Sequence, residues 1–215
     1  MIDVLYAPLG APLPAPTWRR YLAQMPSPIR ERIERYRRWA DRQAGLLGKL
    51  LLVEGLRRCG RPAELERLAW DAAGRPFLPG GTDLNISHSG AYVVCALAHG
   101  GRVGIDIEQV RPIPLSDFRT QMTPAQWAKI AAPDGGLYPF FRLWTQKEAV
   151  VKADGRGLAV PLTRIVPNGG RAWLDGTVWA VREVGIAEGY VCHLAASGAD
   201  PRVRVEEIRL PRTAA

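Results

Sequence analysis

Lysine is scarce in this chain, four residues against twenty-five arginines, and cysteine, histidine and methionine are scarcer still at three each. Cys59, Cys95 and Cys192 are an odd number without metal-ligand spacing, which argues against a disulfide framework and against a structural zinc site. They are expected to be reduced thiols in the interior. No stretch approaches the roughly 18 consecutive apolar residues that span a bilayer. The opening Met1-Ile2-Asp3-Val4 lacks the basic start of a secretory signal, so a cytoplasmic protein with no membrane partner is expected. What is present is 47% hydrophobic content in 215 residues, enough for one globular unit or two small packed halves.

The formal charge is +8, which favours an acidic partner without choosing among nucleic acid, phosphorylated ligand and acidic protein. Between Arg19 and Arg42, eight arginines face only Glu31, Glu34 and Asp41. Within it, Pro26 and Pro28 precede an arginine-rich run with helical spacing, and from Asp41 this turns into an apolar helix through Leu46, Leu47, Leu50, Leu51 and Leu56. A solvated helix face is the alternative use of such a run.

The chain repeats itself weakly. Tyr92-Val93-Val94-Cys95-Ala96-Leu97-Ala98 has a counterpart in Tyr190-Val191-Cys192-His193-Leu194-Ala195-Ala196, and each run ends at a turn before another strand-like segment, 102–108 or 203–208. Each is preceded by an amphipathic helix, 41–58 or roughly 140–153. The expectation is an α+β fold of two similar α/β halves with pseudo-twofold symmetry, residues 1–103 and 104–215, with a ligand cleft between them. Chance similarity of two short apolar strands is the competing reading.

Three clusters carry the chemistry. In Val103-Gly104-Ile105-Asp106-Ile107-Glu108 the alternation sends Ile105 and Ile107 into a core and sets Asp106 and Glu108 on the other face. Two carboxylates pointing one way suit a hard divalent cation, Mg²⁺ first, or else a half-exposed strand with acids in water. The segment 140–158 reads as a helix to Lys152, ended by Asp154-Gly155, with Trp144, Glu148 and Lys152 on one stripe and Glu148 placed to pair with Lys152. Two of the four lysines, Lys147 and Lys152, fall here, which hints that a compact ammonium is wanted near phosphate or metal. Asn85-Ile86-Ser87-His88-Ser89-Gly90 reads as a hydroxyl-rich loop able to donate to phosphate, or as an ordinary turn. Gly74-Arg75-Pro76 offers a cation on a turn. His99 and His193 read as surface or satisfied core residues.

In this order and spacing the three clusters resemble the surfactin-type 4′-phosphopantetheinyl transferases, marked by an Asn-Ile-Ser-His-Ser segment (85–89), a Gly-Ile-Asp-Ile-Glu strand (104–108) and a Trp-x-x-Lys-Glu-Ala-x-x-Lys-x-x-Gly helix (144–155). The resemblance implies transfer of the phosphopantetheine arm of coenzyme A to a serine of an acidic acyl, peptidyl or aryl carrier protein, releasing adenosine 3′,5′-bisphosphate. It implies Mg²⁺, with Mn²⁺ as substitute, on Asp106, Glu108 and Glu148. It implies catalytic roles for Asp106, Glu148 and Lys152, and coenzyme A contacts from Ser87, His88, Arg75 and Lys152. Trp144 and Lys147 would position the helix. Two departures stand out. Gln126 occupies a position where many relatives carry glutamate, and Ala44 one where some carry arginine, which leaves Arg42 and Lys49 as the nearest substitutes for a phosphate contact. A monomer is expected, with no nucleic-acid partner. A metal-dependent phosphodiesterase or nuclease, or a non-catalytic basic nucleic-acid-binding protein, are the readings of a different class.

Overall fold

The computed structural model describes residues 1–61, 65–198 and 200–212. Along the chain run β1 (Ile2–Pro8), α1 (Ala15–Ala23), α2 (Ser27–Glu34), α3 (Trp39–Arg58), β2 (Ala69–Trp70), β3 (Pro76–Phe77), β4 (Thr82–Ser89), β5 (Tyr92–His99), β6 (Val103–Gln109), α4 (Pro124–Ala131), α5 (Leu137–Asp154), β7 (Val166–Asn168), β8 (Arg171–Leu174), β9 (Thr177–Glu183), β10 (Tyr190–Ser197) and β11 (Val203–Glu207). The fold is α+β. One sheet has strand order β11-β1-β5-β4, a second β6-β10-β9-β8-β7, and β2 and β3 form a separate hairpin.

Both runs singled out by the repeat are interior strands, β5 between β1 and β4, and β10 between β6 and β9. Their near-continuous apolar sequence follows from burial on both faces. Val93, Cys95 and Leu97 of β5 join the core beneath α3. Val94, Ala96 and Ala98 turn the other way and meet Ile105 and Ile107 of β6 and Cys192 and Leu194 of β10. Side chains at this depth contribute about 1.5–3 kcal/mol each when large. The layers are therefore α3, first sheet, second sheet, α5.

The strand that follows each repeat run crosses to the other sheet. β6 leaves β5 to pair antiparallel with β10, and β11 leaves β10 to pair parallel with β1. The expected boundary at 103/104 thus falls at the first residue of β6, and the tail of the 104–215 half lies in the sheet built by the first half.

The two sheets meet at β4 and β6, edge to edge, without a backbone ladder. Side chains at alternate β4 positions accept from alternate β6 amides: Asp83 Oδ2 from Val103 N (2.7 Å), Asn85 Oδ1 from Ile105 N (2.9 Å), Ser87 Oγ from Ile107 N (3.4 Å) and Ser89 Oγ from Gln109 N (3.1 Å). The period of two matches the pleat on both strands, and it satisfies an edge that would otherwise present unpaired amides. Segment 85–89 is accordingly strand and not the loop expected from its composition. Its hydroxyls and amide serve the neighbouring backbone, and the turn follows at Gly90, whose φ is +53°.

The cysteines divide. Cys95 and Cys192 are buried as expected, whereas Cys59, just past the end of α3, is only half-buried.

Candidate active site

Gly104 sets the spacing on which the site depends. A Cβ there would collide with the carbonyl oxygen of Ala149 and the amide of Ala153, so the backbone of α5 lies directly against β6. Two and four residues further along β6, Asp106 and Glu108 occupy the same face as Gly104 and so meet α5 where it carries Glu148 and Lys152. The helix stops at Gly155, which takes the left-handed conformation (φ +90°) that its C-terminal cap requires.

Ile105 and Ile107 enter the core as the alternation predicts, and Asp106 is 4% exposed rather than solvated. Lys152 Nζ donates to Asp106 Oδ1 at 2.5 Å and to Ser87 Oγ at 3.0 Å, and Ser87 Oγ donates to Asp106 Oδ1 at 3.2 Å. This corrects the expected helical pair: Lys152 bonds across to β6, not to Glu148. Tertiary contact at a buried carboxylate outweighs an i, i+4 surface pair worth a few tenths of a kcal/mol. Glu148 makes no hydrogen bond or ion pair among the described residues. Glu108 accepts from Ser89 Oγ at 2.7 Å.

All three carboxyls are pushed above their ordinary values. For each the main cause is burial; Lys152 opposes it most at Asp106, Asp106 adds repulsion at Glu108, and Asp106 and Glu108 both do so at Glu148. The cluster is short of positive charge, and Asp106 Oδ2 is buried with no hydrogen-bond partner among the described residues. Oxygen ligands, a charge deficit and an unpartnered carboxylate oxygen fit a hard divalent cation.

Asp106, Glu108, Glu148 and Lys152 line a cavity of about 370 Å³ together with Ser87, His88, Ile86 and Trp144. Glu148, Lys152 and Trp144 also line a second cavity of about 590 Å³ that extends along Gly74, Arg75, Asn85 and Leu158. Volumes of this size hold a nucleotide-sized ligand.

The family model for the 4′-phosphopantetheinyl transferase superfamily matches residues 102–183, and that for the 4′-phosphopantetheinyl transferase N-terminal region matches residues 12–99. A 4′-phosphopantetheinyl transferase of Bacillus subtilis is 30% identical over 167 residues, covering 72% of this chain and 70% of that protein. The 4′-phosphopantetheinyl transferase gsp of Aneurinibacillus migulanus is 32% identical over 144 residues, 66% of this chain and 57% of its own. The L-aminoadipate-semialdehyde dehydrogenase-phosphopantetheinyl transferase of Schizosaccharomyces pombe is 33% identical over 153 residues, 60% and 58%. This chain belongs to the 4′-phosphopantetheinyl transferase superfamily.

The other candidate residues of the transferase are placed less uniformly. His88 lines the edge of the smaller cavity, its pKa lowered by partial desolvation there and by Lys152 against the pull of Asp41. Arg75 is buried: it forms a bidentate pair with Asp83 (2.8 and 2.6 Å) and donates to the carbonyls of Lys152 (2.8 Å) and Val103 (2.9 Å). It ties the β2–β3 hairpin to β4, β6 and α5, so its first task is structural although it lines the larger cavity. Arg42 and Lys49 line neither cavity. Arg42 is exposed and donates to the carbonyl of Tyr36, and Lys49, on the α3 face toward Cys95, has its pKa lowered to about 8 by burial.

Gln126 has a clear role. It forms the capping box of α4 with Thr123, accepts from Lys147 Nζ at 2.7 Å and donates to the Ile165 carbonyl at 3.2 Å. Lys147 is fully buried, and burial beside this neutral partner lowers its pKa to about 8. Trp144 stacks on Phe140 and meets Phe118 edge-on, anchoring α5 while walling both cavities. Asp83 was missed from sequence. The available signal was the polar alternation Asp83, Asn85, Ser87, Ser89 on a strand whose other face carries Leu84 and Ile86 into the core.

Proposed function

We propose that this transferase moves the 4′-phosphopantetheine arm of coenzyme A onto the serine hydroxyl of an apo carrier protein. The serine oxygen forms a bond to the β-phosphorus of coenzyme A, the bond from that phosphorus to the adenosine-bearing phosphate breaks, and adenosine 3′,5′-bisphosphate leaves. The observation that carries this reading is the convergence of Asp106, Glu108, Glu148 and Lys152 on connected cavities, with Asp106 Oδ2 buried and unpartnered.

Asp106, Glu108 and Glu148 would hold Mg²⁺, or Mn²⁺ in its place, and the cation when bound would neutralise charge on the pyrophosphate. Lys152 binds a phosphate oxygen through its ammonium, moving from Asp106 as substrate enters. Glu148, with no hydrogen bond or ion pair among the described residues and with its pKa raised, accepts the serine proton directly or through a water. His88, neutral at pH 7 by the direction of its shift, contributes a ring N–H to a phosphate at the cavity edge. Residues 1–103 supply most of the coenzyme A contacts and residues 104–215 the metal strand and the catalytic helix. The exposed Arg37 and Arg38, whose side chains make no hydrogen bond or ion pair among the described residues, suit an acidic carrier surface. No helix among the described residues is long and apolar enough to cross a membrane.

The deciding experiment is the intact mass of apo acyl and peptidyl carrier proteins after incubation with the transferase, coenzyme A and Mg²⁺. A gain of one arm, lost with chelator or with Asp106→Ala, supports the reading. Release of free phosphopantetheine without carrier modification would establish the phosphodiesterase alternative instead.

A further inference from the structure

A second constellation lies at the far end of the first sheet. Asp3 of β1, His99 at the end of β5 and Cys59 just past α3 bring one carboxylate oxygen, one ring nitrogen and one sulfur within 4.8 Å of one another. The separations are 3.0 Å from Cys59 Sγ to His99 Nε2, 3.8 Å from Cys59 Sγ to Asp3 Oδ2 and 3.5 Å from His99 Nε2 to Asp3 Oδ2. A tetrahedral zinc ion with bonds of about 2.3 Å to sulfur and about 2.0 Å to nitrogen and oxygen has ligand-to-ligand edges of about 3.3–3.6 Å. The three atoms therefore already outline one face of such a tetrahedron. The other oxygen of the carboxylate, Asp3 Oδ1, accepts from Arg204 Nε of β11 at 2.8 Å, which aims Oδ2 at the sulfur and the imidazole.

We propose that Asp3, Cys59 and His99 form a binding site for a borderline divalent transition metal of the Zn²⁺ class, separate from the catalytic carboxylates. Linear spacing hides it, because the ligands are 56 and 40 residues apart and converge only when β1 and β5 pair and α3 ends over them. Val93, opposite His88 in the β4–β5 register, lies six residues from His99, about 20 Å along the strand. The donor sets differ as well. Sulfur and imidazole select zinc or cobalt, whereas the all-carboxylate site selects magnesium or manganese. His99 keeps 32% of its side-chain surface exposed, so metal can enter and water can take the fourth position. Bound metal would clip together β1, β5 and the end of α3 and stabilise the folded chain by mass action. Because Cys59 must lose its proton to ligate, affinity should rise about tenfold per pH unit while the thiol remains protonated.

The test is titration of the purified full chain with Co²⁺ alone, followed by absorption. The expected result is an intense near-ultraviolet thiolate-to-cobalt band with tetrahedral visible bands, displaced by Zn²⁺. The band should vanish in Cys59→Ser and in His99→Ala, each checked for folding by circular dichroism, and survive in Asp106→Asn, since carboxylates give no such band. Zn²⁺ should also protect Cys59 from alkylation; the other two thiols are buried and unreactive in the folded chain. Transfer activity should be unaffected by Cys59→Ser, which separates this site from the proposed reaction. Folded wild-type protein that shows no thiolate band at saturating Co²⁺, or a band that persists without Cys59, would overturn the proposal and leave a hydrogen-bonded Cys-His-Asp cluster.

Discussion

Replacing Lys152 with alanine removes the cation from a cluster of three carboxyls, and the cost can be bounded from the structure. The ammonium lies 2.5 Å from Asp106 Oδ1, where two unit charges attract by roughly 7 kcal/mol at an effective dielectric constant of about 20. The fold cannot lose that much, because Asp106 escapes by taking up a proton. Even for a carboxyl at the ordinary value of 3.8, above which burial already holds Asp106, protonation at pH 7 costs about 4 kcal/mol, which is therefore a ceiling. The Lys152 side chain is 27% exposed, and solvent screening lowers the expected loss to about 2–4 kcal/mol, or about 5–15 °C in melting midpoint. A carboxyl whose folded pKa lies above its unfolded one loses stability as pH rises between the two. The deficit should therefore be small near pH 4, at most about 1.5 kcal/mol at pH 5, and largest toward neutrality. Mg²⁺, which the three carboxyls would hold and whose charge would offset the lost ammonium, should raise the midpoint of the variant more than that of the wild type. Thermal melts at pH 5, 6 and 7 with and without Mg²⁺ read all of this. A deficit of the same size at pH 5 and pH 7, or a midpoint within about 2 °C of wild type at pH 7, would refute the argument.

Gly104→Ala should cost about 3 kcal/mol or more and abolish transfer, because the added methyl meets helix backbone, which cannot rotate away; unaltered melting and activity would mean that α5 does not need its close seat on β6. Asp83→Leu should destabilise by about 3–5 kcal/mol by stranding the buried Arg75 guanidinium. The double variant with Arg75→Leu should lose less than the sum of the two singles, and additivity in denaturant melts would deny the coupling. Gln126→Ala should lower stability by about 2–4 kcal/mol, since the buried Lys147 and the Ile165 carbonyl both lose a hydrogen-bond partner and α4 loses its capping box; a variant as stable as the parent would show that water replaces the amide. Charge reversal at Arg37 and Arg38 should raise the KM for carrier far more than that for coenzyme A, and an unchanged carrier KM would remove these arginines from docking.

Much of the site was legible because strand and helix periods are short-range rules. The alternation of Val103 to Glu108 assigned Ile105 and Ile107 to the core and Asp106 and Glu108 to one face, and the structure has both. The stripe of Trp144, Glu148 and Lys152 on a helix ending at Gly155 is likewise observed. Composition misled where tertiary pairing governs. Asn, Ser and His in 85–89 look like a turn in isolation, but β5 offers a strand to pair with and β6 offers amides to satisfy, so Asn85, Ser87 and Ser89 become acceptors for β6 amides. Arg75 looks like a free cation on a turn until Asp83 is brought beneath it.

The sequence by itself determined the acidic strand and the catalytic helix, the two interior strands and the acidic and basic residues from which the cleft is built, because local periodicity and residue chemistry are written into neighbouring positions; it did not determine the strand at 85–89. Only the tertiary structure decided their partners: Lys152 with Asp106 and not Glu148, Arg75 with Asp83, Cys59 with His99 and Asp3. Those choices depend on which strands cross between the sheets and on burial that makes an unpaired charge costly, and neither quantity exists until residues far apart in the chain have been packed together.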